Sequence, residues 1–61
     1  MKSKKIIVAL DSNNLNKVIK LVTILKRDIY AFKIGYQFFF NFGLVGYKKI
    51  YSICPKIFLD L

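Results

Sequence analysis

Sixty-one residues, 56% hydrophobic and 23% charged, allow at most one small domain, and a chain this short hides only about 60% of the surface it exposes when unfolded. With Cys54 as the only cysteine, no histidine, and only Asp11, Asp28 and Asp60 as acids, neither an internal disulfide nor a metal cage is available to staple it. The formal charge of +8 suits an anionic partner, but its sources run from Lys2 to Lys56 and only Lys2, Lys4 and Lys5 cluster, so a solvated basic surface is favoured over a nucleic-acid footprint.

The charged start, Met1 to Lys5, imitates a signal peptide, but the apolar run Ile6 to Leu10 ends at Asp11, short of the roughly 7–15 residues a secretory core needs. Lys5-Ile-Ile-Val-Ala-Leu-Asp11 has instead the pattern of a buried parallel strand: short, apolar, β-branched and followed at once by turn-formers. Ser12, Asn13 and Asn14 offer N-caps, and Leu15, Val18, Ile19, Val22 and Leu25 recur at the spacing of one helix face. Lys26 and Arg27 follow, suited to the negative pole of the helix dipole.

Ile29-Tyr-Ala-Phe-Lys-Ile34 predicts a second strand, closed by Gly35, and a second helix is expected from about Tyr36 to Ser52. Phe39, Phe42, Tyr47, Ile50 and Tyr51 are its candidate packing residues. Gly43 and Gly46 each weaken that helix by about 1 kcal/mol relative to Ala. Pro55 breaks the chain, and Lys56-Ile-Phe-Leu-Asp-Leu61 reads as a third strand. The order β-α-β-α-β, with no linker or low-complexity tract, is how a parallel α/β sheet is written. The longest uncharged stretch, Ile34 to Tyr47, is fourteen residues, below the 18 or so of a spanning helix, so the expectation is a cytoplasmic chain with Cys54 reduced and inert.

Asp11, Lys33 and Asp60 each stand at or near the C-terminal end of a strand, at steps of 22 and 27 residues. Alternation puts Asp11 with Ile7 and Ala9, Lys33 with Ala31, and Asp60 with Phe58. The opposite faces, Ile6, Val8 and Leu10, then Tyr30, Phe32 and Ile34, then Ile57, Leu59 and Leu61, are apolar and are expected to receive the helices. With sequential strands as neighbours the three charges are expected to form one row, alternating in sign, at the edge of a sheet where βα-barrels place their chemistry. An Asp before a helix is commonly only a turn residue. A lysine inside Phe-Lys-Ile on a buried strand is less easily dismissed, because it needs an acidic partner or a route to solvent.

Ile-Ile-Val-Ala-Leu-Asp11, Phe-Lys33-Ile-Gly35 and Ile-Phe-Leu-Asp60-Leu61 resemble, in order and spacing, the first three strands of the orotidine 5′-monophosphate decarboxylase family. The resemblance implies that residues 1–61 are an N-terminal fragment of a TIM (βα)₈ barrel, truncated after strand 3. It implies a cofactor-free lyase that converts orotidine 5′-monophosphate to UMP and CO₂ in pyrimidine synthesis, acting as a homodimer. Asp11 matches the position that holds a ribose hydroxyl. Lys33 matches the lysine that reaches the ribose and belongs to an Asp-Lys-Asp-Lys network. Asp60 matches the residue that opens D-x-K-x-x-D beside the substrate carboxylate, and only its first two positions are present.

The lysine of that motif protonates the carbon that loses CO₂, and the phosphate site of such barrels sits after strands seven and eight. The 61 residues alone are therefore expected to be inactive, and poorly soluble or disordered in isolation. Hexulose-phosphate synthases and sugar-acid-phosphate decarboxylases share the same strand ends, but they typically carry Glu where this chain has Lys33. A small basic protein that binds nucleic acid or a membrane would use Lys4, Lys5, Lys48 and Lys49 with Tyr and Phe as stacking partners, yet the aromatics stand at core-like spacing, so neither partner is expected. A decayed gene product and half of a split enzyme both fit the same residues.

Overall fold

The computed structural model describes residues 6–61; the Lys2, Lys4 and Lys5 cluster and the signal-like start lie outside the described residues. The elements are β1 (Ile7–Ala9), α1 (Leu15–Leu25), β2 (Ala31–Gly35), α2 (Tyr36–Ile53) and β3 (Ile57–Asp60), and the strands form one parallel sheet in the order β1-β2-β3. The α/β class and the β-α-β-α-β order expected from the sequence are both present. β1 is shorter than its apolar run, but its hydrogen bonding extends further, because Tyr30 N–H donates to Ile6 O at 2.8 Å and Leu10 N–H donates to Lys33 O at 3.0 Å.

The turn after β1 is built from side chains. Ser12 Oγ accepts from Asn14 N–H at 3.1 Å, and Asn14 Oδ1 accepts from Lys17 N–H at 3.2 Å, which caps α1 and sets its first turn. The apolar stripe of α1 then turns inward: Val18 and Val22 are buried, and Leu15, Ile19 and Leu25 pack around them.

α2 differs from its expectation in one respect that reorders its contacts. Gly43 has φ 65°, ψ −165°, so the segment is two helices meeting at that residue, in a backbone region essentially reserved for glycine. The break resets which residues face inward: Phe38, Gly46 and Ile50 are buried, Phe39, Phe42 and Tyr47 pack beside them, and Tyr51 is exposed. Phe38, absent from the expected packing set, is among the largest fully buried side chains. Phe38 and Phe42 meet edge-to-face at 5.0 Å, and Phe39 stacks on Tyr47 at 5.5 Å across the break. At Gly46 a side chain would collide with Phe42, so this glycine is there for packing.

Both helices lie on one face of the sheet, and the core between is Leu10, Val18, Val22, Ile29, Phe32, Ile34, Phe38, Ile50 and Cys54. Each buried large side chain of this kind contributes about 1.5–3 kcal/mol. The expectation that every residue on this face meets a helix holds for Leu10, Phe32 and Ile34 but fails for Ile6, Tyr30, Leu59 and Leu61, which are exposed. These four lie toward the sheet's two outer strands or before the start of β2, beyond the reach of α1 and α2. Cys54 is a free, buried thiol within the core.

Candidate functional site at the strand ends

Parallel register decides how the charges meet. Lys33 on β2 stands opposite Ala9 on β1 and Phe58 on β3, while Asp60 stands opposite Gly35. The face away from the helices therefore rises in two steps, Ala9-Lys33-Phe58 and then Gly35-Asp60. Lys33 reaches one step upward and sideways, and its Nζ lies 3.6 Å from Asp60 Oδ2. This is the one ion pair among the described residues.

Asp11 follows two residues after Ala9, past the end of β1 and of its register with β2. It is exposed and takes part in no ion pair among the described residues. Of the expected row of three, Lys33 and Asp60 are brought together as an ion pair, and Asp11 lies outside it. Along the shared face Asp60 stands two residues above the level of Lys33, and the lysine leans up to it.

The pair is open to water, with 44% of the Lys33 side chain and 63% of Asp60 exposed. An exposed pair of this kind contributes about 0–1 kcal/mol to stability, so its placement is poorly explained by folding. What it offers is a cation and a carboxylate held side by side at the C-terminal ends of parallel strands, next to Gly35. Such a pair can accept a hydrogen bond from a hydroxyl through Asp60 and donate one through Lys33, which suits a polyhydroxylated ligand.

Neither of the two surface hollows contains the Lys33–Asp60 pair. The larger one lies at the opposite end of β2 and β3, between Tyr30, Ala31, Pro55 and Phe58, and is mainly apolar. The smaller one lies where β1 gives way to α1 and touches Asp11, Ser12 and Lys17. Convergence of charge identifies the candidate site better than concavity here, because the face carrying it has no opposing wall. No cluster of metal-ligating residues occurs among the described residues, and no described helix is long and apolar enough to cross a membrane. The residue that sequence reasoning passed over is Gly35, taken there as a strand end. Its position two residues after Lys33, on the same face of the strand, was the available signal.

A parallel βαβαβ sheet with its helices on one face and a lysine–aspartate pair at the strand ends has the form of a βα-repeat unit. The chain belongs to the orotidine 5′-phosphate decarboxylase / HUMPS family, whose family model matches residues 4–61. It is 40% identical over 57 residues to the orotidine 5′-phosphate decarboxylase of Buchnera aphidicola subsp. Acyrthosiphon pisum (strain Tuc7), covering 93% of this chain and 24% of that protein. It is 43% identical over 60 residues to the enzyme of the same name from the Baizongia pistaciae subspecies, covering 98% and 25%. With that of Malacoplasma penetrans it shares 34% over 61 residues, covering 100% and 26%. The chain thus spans about a quarter of the length of the curated relatives it matches. No solved structure gives a significant match.

Proposed function

We propose that these residues are the first three strands of a (βα)₈-barrel lyase that decarboxylates orotidine 5′-phosphate to UMP, with Asp11, Lys33 and Asp60 facing the substrate. The observation that carries the reading is the Lys33–Asp60 pair at 3.6 Å on the C-terminal ends of adjacent parallel strands, within a chain that belongs to the decarboxylase family over residues 4–61. In this reading Asp11 accepts hydrogen bonds from ribose hydroxyls. Lys33 contributes positive charge between the ribose and Asp60. Asp60 presents its carboxylate to the carboxylate that leaves as CO₂, which raises the energy of the bound ground state, while Lys33 holds the acid in place.

The proton that replaces CO₂ on the pyrimidine carbon needs a cation within reach of that carbon. In the described face the only lysine is Lys33, and it is engaged with Asp60. As a lone polypeptide the 61 residues are therefore inactive; activity requires the further strands that complete the barrel, in a cytoplasmic homodimer. Lys33 also favours the nucleotide decarboxylase over a hexulose-phosphate synthase, which would carry an acid at that position.

A fusion tests this directly. The 61 residues replace the aligned segment of the Buchnera relative, and orotidine 5′-phosphate is supplied. UMP formation by the fusion, with none from the lone chain, is expected. UMP formation by the lone chain, or none from a folded fusion, would sink the reading.

A further inference from the structure

We propose that the 61-residue chain pairs with a second copy of itself along the free edge of β3, antiparallel and centred on Phe58, so that Lys56 of each copy meets Asp60 of the other. The inference goes beyond the proposed function. It concerns the 61 residues as a lone polypeptide, whose β3 edge a completed barrel would give to its next strand.

β3 is an edge strand, because the sheet order is β1-β2-β3, and an edge strand offers backbone groups to which another strand can be added. Phe58 and Leu59 are 52% and 46% exposed, and the larger apolar hollow lies along this strand from Pro55 to Leu59. The other edge, β1, has three residues and no charge.

Backbone direction decides which pairings are possible. Phe32 N–H donates to Lys56 O at 2.9 Å, and Phe32 is in register with Ile57. Lys56, Phe58 and Asp60 therefore turn their backbone groups toward β2, while Ile57 and Leu59 turn theirs to the free edge. Ile57 N–H is turned back to Pro55 O at 2.9 Å, which leaves Leu59 N–H to donate to the Ile57 carbonyl of the second copy, twice by symmetry. Outward residues must face outward residues, so the centre can fall on Ile57, Phe58, Leu59 or Asp60. Centred on Ile57, the pairing sets Lys56 against Phe58; centred on Leu59, it sets Phe58 against Asp60; centred on Asp60, it sets two carboxylates face to face.

Only the centre at Phe58 satisfies every position. Ile57 then faces Leu59 on the helix side of the sheet, and on the open side Phe58 faces Phe58 while Lys56 faces Asp60. These open-side pairs fall at the sites between hydrogen-bonded pairs, where opposed side chains come closest. Both charges have capacity to spare. Lys56 Nζ donates to Ile29 O at 3.0 Å, one of its three donors, and Asp60 uses Oδ2 toward Lys33, leaving its second oxygen. The contact is isologous, so it closes at two copies.

The test is the mass in solution of the 61-residue chain, of K56D, of D60K and of an equimolar mixture of the two variants, by sedimentation equilibrium. The parent is expected at twice the 7.1 kDa of one chain. K56D sets acid against acid and D60K sets lysine against lysine, so each alone is expected to lose the dimer. In the mixture every 56–60 contact between unlike chains is again of opposite charge, and the doubled mass is expected to return. A monomeric parent overturns the proposal, as does a parent that forms only larger aggregates. A variant that stays dimeric alone overturns it, and so does a mixture that stays monomeric, because each variant's own fold is the same in both samples. None of these readings involves orotidine 5′-phosphate, so failure here leaves the proposed function standing, and the reverse.

Discussion

On the helix-facing side of the sheet Leu10, Phe32 and Ile34 are at most 2% exposed, whereas on the opposite side Ile7 and Phe58 are 41% and 52% exposed, and Phe58 stands directly opposite Lys33. The same three strands carry both sides, alternating residue by residue. One side buries apolar area against α1 and α2 and so holds the chain together. The other side keeps small residues, Ala9 and Gly35, around its charges and adds little to stability. A fold and a charged site can share so few residues only because period-two alternation separates their demands.

Truncation at matched aromatics is the largest way to break this contrast. Phe38→Ala, in the core, is expected to cost about 3–5 kcal/mol, while Phe58→Ala on the open face should cost well under half of that, both read from urea unfolding of the fusion. Equal losses would mean that the open face is packed as tightly as the core. Next in size is Lys33→Met. The exposed pair predicts a stability change of about 1 kcal/mol at most, yet turnover of orotidine 5′-phosphate by the fusion should fall about 10²–10³-fold. A large loss of stability with little loss of rate would reverse the division of roles.

Gly43→Ala comes third. With φ at 65° and ψ at −165°, any side chain there is strained, and about 1–3 kcal/mol of destabilisation is expected. The cost is conformational and not steric, because a Cβ at this position meets nothing within 4 Å; a neutral substitution would show that the two halves of α2 can realign without harm. The smallest effect is Asn14→Ala, which removes the cap to Lys17 N–H and should cost about 1 kcal/mol, with no effect on turnover if the two faces are independent.

How much of this was legible in the sequence varied with the kind of signal. α1 was readable because Leu15, Val18, Ile19, Val22 and Leu25 keep one period between a polar cap and a basic end, and its observed limits are Leu15–Leu25. α2 was readable in extent but not in phase. Gly43 looks like any helix-weakening glycine until its positive φ is seen, and the break moved Phe38 inward and Tyr51 outward. Exposure of Leu59 and Leu61 could not be inferred from alternation, because alternation assigns a face and says nothing about whether a helix lies over it. At the candidate site, shared face and shared end were legible from Asp11, Lys33 and Asp60, but their pairing was not. That Lys33 meets Asp60 and not Asp11 depends on the register of β2 with its two neighbours, and register between parallel strands joined by helices is fixed by packing at a distance, not by a turn of defined length.

The account stands most directly on the charge at position 60. Turnover of orotidine 5′-phosphate is to be measured for the fusion carrying the native 61 residues and for the same fusion with Asp60→Ala, both shown to be folded. The account predicts UMP formation by the first and a loss of about 10²-fold or more in the second, as for removal of a preorganised charge from a site. Equal turnover by the two proteins would contradict it.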